Sequence, residues 1–106
     1  MNKVLFALLL IVSFCSHAQS ENIGSFLADV PDLTYEKTGN WKGGEFFTLY
    51  IKQPLDHSDT SKWFFNQKVY LTHHDVKKPT VLAIDGYSVT KNYRSEMTEI
   101  LDANQI

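Results

Sequence analysis

The sequence predicts an α/β architecture: the opening of an α/β sheet in which an antiparallel hairpin leads into a buried strand, a loop and a helix. Three observations carry this. Two segments, Glu45–Lys52 and Phe65–His73, alternate with period two. A short unbroken apolar run, Thr80–Ile84, lies between Pro79 and Asp85-Gly86. Beyond it, Tyr93, Met97, Ile100 and Leu101 recur at the spacing of one helix face.

The chain opens with a leader. Lys3 supplies a positive end, Val4–Phe14 is apolar apart from Ser13, and Ser16-His17-Ala18 sets small residues where a signal peptidase reads them. Residues 1–18 are therefore expected to be a cleavable signal peptide, with Gln19 as the mature N-terminus. The apolar run is shorter than the ~20 residues that a membrane span needs. A buried N-terminal helix is the competing reading, and the charged and small-residue flanks favour export over it. Cys15 is the sole cysteine. Val12-Ser13-Phe14-Cys15 loosely resembles a bacterial lipobox, with Phe14 where that motif takes a small residue. If Cys15 leaves with the leader, the mature chain has no disulfide framework, no thiolate zinc site and no cysteine nucleophile.

Removing 18 of the 106 residues leaves 88. Lys3 is the leader's only charge, so nine basic residues then face twelve acidic ones. No basic run or patch stands out, which argues against a nucleic-acid partner. Eighty-eight residues fall short of the usual ~100–150 of a domain. The chain stops at Ala103-Asn104-Gln105-Ile106 as the helical pattern runs out, with no closing strand in view. It is expected to be the N-terminal fragment of a longer protein.

Residues 19–44 are polar and turn-rich, with Pro31, Gly39, Gly43 and Gly44. Within them Ser25–Tyr35 is expected to dock as a short segment through Phe26, Leu27, Val30 and Leu33, packed down by Trp41. In the first strand Phe47, Leu49 and Ile51 share one face, and Phe46, Thr48 and Tyr50 the other. In the second, Phe65, Val69 and Leu71 point inward, and Lys68, Tyr70 and Thr72 outward. Pro54 cannot donate to a ladder and ends the first strand. The Asp/Ser/Thr cluster from Asp56 to Ser61 is turn chemistry. Thr80–Ile84 reads as a strand buried on both faces, Asp85–Lys91 as a loop, and residues 92–103 as a helix with Arg94, Glu96, Glu99 and Asp102 on its wet face.

Gln53-Pro54-Leu55-Asp56-His57, then Phe65-Asn66-Gln67-Lys68-Val69-Tyr70-Leu71-Thr72-His73, then Pro79-Thr80-Val81 running into Asp85-Gly86-Tyr87, resembles the secreted tripeptidyl aminopeptidases. These are serine exopeptidases of α/β-hydrolase fold. The prolyl carboxypeptidases share a looser form of the hairpin. The resemblance covers residues 45–106, which it implies are the truncated N-terminal part of a peptidase domain. Three residues depart from the pattern: Trp63 stands where Gly is common, Lys68 for Arg, and Asp85 for Glu.

The resemblance implies release of short peptides from a free N-terminus of a peptide substrate, without a cofactor or metal. The machinery would be a Ser nucleophile, a His base and an Asp that orients it. In that fold the nucleophile lies on a G-x-S-x-G elbow two parallel strands further on, so none of the triad is expected in this chain. The loop after the third strand supplies one oxyanion donor in such folds. Gly86 and Tyr87 are therefore the oxyanion-loop candidates. Asp85, at the mouth of the same site, is the candidate for holding the substrate's free amine. A turn that merely follows a strand is the alternative for Asp85-Gly86.

Four other groups imitate chemistry. Gly86-Tyr87-Ser88-Val89-Thr90 resembles a nucleophile elbow, but Thr90 replaces the second Gly, so Ser88 reads as a loop serine. His73 and His74 are adjacent on a strand and point to opposite faces, with no third ligand spaced to join them. His57 beside Asp56 lies in a polar loop and reads as a turn or packing residue. Phe46, Phe47, Phe64 and Phe65 read as core and sheet packing. Two function classes remain: part of a secreted, periplasmic or cell-surface serine peptidase, inactive alone, or a small secreted binding or structural module. A downstream G-x-S-x-G would favour the first.

Overall fold

The structure, a computed structural model, describes residues 22–106. The expected leader, Cys15 and Gln19 lie outside the described residues. In chain order the elements are α1 (Ile23–Ala28), β1 (Leu33–Trp41), β2 (Gly44–Pro54), β3 (Phe64–His73), β4 (Thr80–Val81), α2 (Glu96–Ile100) and β5 (Asn104–Gln105). The strands form one five-stranded sheet in the order β1-β2-β3-β5-β4. The pairs β1–β2, β2–β3 and β3–β5 are antiparallel, and β4–β5 is parallel. The sheet is therefore mixed and the chain α/β-like, with short helices.

The β2–β3 hairpin forms as the alternation predicts. Phe47 pairs with Leu71 and Leu49 with Val69, and the ladder runs on to Pro54 opposite Phe64. Pairing on one face brings these side chains together. Phe47, Leu49 and Leu71 make the buried core with Leu27 of α1, flanked by Ile23, Leu33, Tyr35 and Val69. The hairpin loop is built from Asx turns, as its composition implies: the Asp56 carboxylate accepts from Ser58 N at 2.8 Å and the Asp59 carboxylate from Ser61 N at 3.2 Å. Of the four phenylalanines expected to pack, Phe47 enters the core, while Phe64 and Phe65 at the far end of the hairpin are exposed.

Three expectations need correction. The first concerns residues 19–44. The segment does dock, through α1 and Leu27, with Asn22 capping by accepting from Gly24 N at 2.9 Å. Its longest element, however, is β1, a nine-residue strand along β2. Leu33 and Tyr35 are the only apolar residues of its first half, and a bulge between Lys37 and Gly39 breaks its period. Phe26 and Val30 are exposed and anchor nothing. Trp41 packs on the Phe46 ring, 5.0 Å between centroids, with the Arg94 guanidinium 4.8 Å from its own ring.

The second is the buried strand. Only Thr80 and Val81 are strand, paired to β5 alone, and Leu82 and Ile84 are 68% and 83% exposed. A run this apolar is buried where neighbouring strands and helices cover it. The described residues offer one strand and a single short helix nearby.

The third is the helix over 92–103. Helix α2 covers only Glu96–Ile100, opened by the Ser95 side chain and followed by Asp102 in the left-handed region at φ 48°. The chain then returns as β5, between β3 and β4, so a closing strand is present. The polar side chains of β5 win over helical periodicity. Asn104 Oδ1 accepts from His74 N at 2.6 Å and Asp75 N at 3.1 Å, and its Nδ2 donates to Asp75 O at 2.8 Å, clamping the β3–β4 turn. Met97, Ile100 and Leu101 consequently face out, while Thr98 is fully buried. Thr72, expected outward, is fully buried as well.

Candidate functional site

The loop Asp85–Lys91 leaves the end of the β4 segment and returns to the sheet at Asn92. That return point is fixed by side-chain chemistry. Asn92 Oδ1 accepts from the Thr72 hydroxyl at 2.8 Å, and its Nδ2 donates to Phe47 O at 3.2 Å and Leu71 O at 3.1 Å. One residue further, the carbonyl of Tyr93 accepts from Gln105 Nε2 at 2.8 Å. Gln105 Oε1 in turn accepts from Ser95 N at 2.8 Å and from the buried Thr98 hydroxyl at 2.6 Å. Buried amides satisfied at both ends of the group rigidify the backbone they hold. Asn92 and Gln105 were not singled out by sequence reasoning. Asn and Gln give no periodic signal, and only tertiary placement shows what they bond.

The loop borders a cavity of about 380 Å³ whose lining includes Ile51, Val69, Tyr70, Ile84, Asp85 and Tyr93. The walls are mainly apolar, and the charged residues on the lining are Asp85, Lys68 and Lys91. Asp85 is exposed and accepts from the Tyr93 hydroxyl at 3.1 Å to Oδ1 and 3.3 Å to Oδ2. That hydrogen bond to the carboxylate holds the Tyr93 phenol above its usual range, so it stays protonated as a donor. Gly86 and Tyr87 are exposed. Among the described residues no glycine has positive φ, and a Cβ on Gly86 would meet no atom within 4 Å. The described chain's own packing therefore leaves the Gly86 side open to an approaching group.

Among the described residues, the other chemical candidates make no hydrogen bond to this loop's carboxylate. Ser88 lies on the loop and is exposed, without a hydrogen-bonded base among the described residues. His57 and Asp56 lie in the hairpin loop and are exposed. His73 is half-buried, and its imidazole is pushed below the usual histidine range chiefly by burial. His74 stacks near Trp41, 6.2 Å between ring centroids, with Nε2 3.7 Å from Asp102 Oδ2. Among the described residues no group of three or more His, Cys, Asp or Glu is placed to hold a metal. Among them, too, no helix is long and apolar enough to cross a membrane.

Comparison with known proteins gives the family. The family model described as PS-10 peptidase S37 matches residues 17–106. The chain is 32% identical over 90 residues to the prolyl tri/tetrapeptidyl aminopeptidase of Streptomyces mobaraensis, an alignment that covers 84% of the chain and 19% of that protein. The chain thus spans about a fifth of the length of this relative. No solved structure matches it significantly. On a family match that runs through the hairpin, β4, the Asp85 loop and β5, the chain belongs to the PS-10 peptidase S37 family, the tripeptidyl aminopeptidase family of serine peptidases.

Proposed function

We propose that this chain is the N-terminal part of an exported serine exopeptidase that releases short peptides, tripeptides or tetrapeptides, from a free N-terminus. The observation that carries this is the 32% identity over 90 residues to the prolyl tri/tetrapeptidyl aminopeptidase, beside a family match over residues 17–106 that includes the candidate loop. In this reading the hairpin and β4 are the opening of an α/β-hydrolase sheet. The rest of the polypeptide supplies the nucleophile elbow, the His base and the orienting Asp. The apolar Leu82 and Ile84 are then covered by that later sheet and its helices.

Asp85–Tyr87 has the place of an oxyanion loop. It follows β4 and precedes helix α2, so a backbone N–H of Gly86 or Tyr87 would face the carbonyl oxygen where charge develops. The missing side chain at Gly86 leaves room for the scissile carbonyl. Asp85 offers a carboxylate on the lining of a mainly apolar cavity, a fit for the ammonium group of an unblocked peptide. The leader of residues 1–18 directs the protein out of the cytoplasm, to the medium, periplasm or cell surface. Residues 19–106 alone have no peptidase activity.

A serine-reactive fluorophosphonate tests this. The product of the complete reading frame should form one stoichiometric adduct, at a serine downstream of Ile106, and residues 19–106 alone should form none. Labelling of Ser88 would overturn the assignment of the nucleophile to later sequence. Absence of any adduct on the complete protein would overturn the serine mechanism.

A further inference from the structure

We propose that Tyr93 is a positioning residue for Asp85: its hydroxyl spans the two carboxylate oxygens and fixes the carboxylate, with the adjoining Gly86, to a rigid point on the sheet. The inference rests on the reading of Asp85 as the seat of the substrate's ammonium group. Three observations support it. Among the described residues, the Tyr93–Asp85 contact is the one hydrogen bond that any residue of the exposed loop 85–91 makes. The near end of that contact is anchored twice: Gln105 Nε2 holds the Tyr93 carbonyl at 2.8 Å, and the preceding Asn92 bonds Thr72, Phe47 and Leu71. Behind Gln105 stand the buried Thr98 hydroxyl and Ser95 N, so the anchor itself cannot swing.

The stoichiometry also fits. An ionised carboxylate has about four lone-pair sites. One phenolic O–H shared between Oδ1 and Oδ2 leaves the remaining sites for an ammonium, whose three N–H groups need acceptors. Holding the carboxylate before substrate arrives removes an ordering cost from binding. Without the hydroxyl, Asp85 stays charged but loses its orientation. The penalty then falls on substrates that bring an ammonium, and on no others.

The test uses the full-length enzyme and a pair of substrates, one with a free N-terminus and one with the same peptide acetylated. Tyr93→Phe keeps the ring and removes the donor. It should raise KM for the free-amine substrate by roughly three- to tenfold, with the acetylated substrate unchanged and the melting temperature near wild type. In an Asp85→Asn background the same change should add nothing, since the two residues act as a unit. Tyr93→Met, which packs differently, should give the same shift in the free-to-acetylated ratio. If Asp85→Asn raises that ratio and both Tyr93 variants leave it alone, Tyr93 has no positioning role and the Asp85 reading stands. If Asp85→Asn itself leaves the ratio unchanged, the Asp85 reading falls and this inference with it. Equal losses on both substrates would make Tyr93 a structural residue only and overturn the proposal.

Discussion

The hydroxyl of Thr72, fully buried on β3, donates to Oδ1 of Asn92 at 2.8 Å, and this bond joins the sheet to the returning end of the candidate loop. The Asn92 amide also occupies the carbonyls of Phe47 and Leu71. Asn92→Ala strips partners from three half-buried or buried polar groups together. Leaving a buried polar group unsatisfied costs about 1–3 kcal/mol. The full-length variant should melt several degrees below wild type, and hydrogen exchange should speed up over residues 85–93 more than at the hairpin core. Wild-type stability and exchange would mean the anchor is unimportant.

A second prediction concerns the β1–β2 connection. A Cβ on Gly44 would stand 2.1 Å from the His73 carbonyl oxygen and 2.7 Å from the Trp41 ring. The backbone oxygen belongs to a paired strand and cannot step aside cheaply. Gly44→Ala should therefore destabilise the protein by about 1–3 kcal/mol, as overpacking does, and denaturant unfolding reads this directly. A midpoint equal to wild type would show that the β2–β3 ladder yields at this end without cost.

His73 makes stability depend on pH. Burial lowers its pKa below the ordinary 6.5, so the unfolded chain takes up a proton there that the folded chain resists. The stabilisation is complete above 6.5 and is lost as pH falls from that value towards the lowered native one. One such group contributes a slope of at most about 1.4 kcal/mol per pH unit. Denaturant melts between about pH 7.5 and about pH 5 should show the loss in wild type and a flatter profile in His73→Gln. Identical profiles would remove His73 as the cause.

Export is checked by one N-terminus. The mature protein recovered outside the cytoplasm should begin at Gln19, with residues 1–18 absent. Retention of those residues, or acyl lipid on Cys15, would contradict the leader reading.

The sequence showed the parts of this fold that announce themselves through periodicity. The hairpin is legible because Phe47, Leu49, Val69 and Leu71 alternate strictly and meet in register. The hairpin loop is legible because Asp56 and Asp59 carry their turn chemistry locally. Strand β1 was not, because Thr34, Glu36, Lys37 and Thr38 give a partner-dependent edge little apolar pattern. The exchange of a long helix for a short one followed by β5 was not either. Asn104 and Gln105 are indifferent to either state until the β3–β4 turn and Ser95 offer them bonds. Residues 80–84 have a buried composition in an exposed place, since sequence reports the burial a segment is suited to and structure reports what covers it. At the candidate site the sequence singled out Asp85, Gly86 and Tyr87 through the family's motif. Tyr93, Asn92 and Gln105, which hold that loop from behind, became visible only through their contacts.

The most direct test of the account is a product spectrum. The complete secreted protein is incubated with an unblocked peptide and with its N-acetylated twin, and the released fragments are identified by mass. The account predicts stepwise release of tripeptides or tetrapeptides from the free N-terminus and much slower release from the acetylated peptide. Internal cleavage that ignores acetylation, or no cleavage by a protein that folds and is exported, would contradict it.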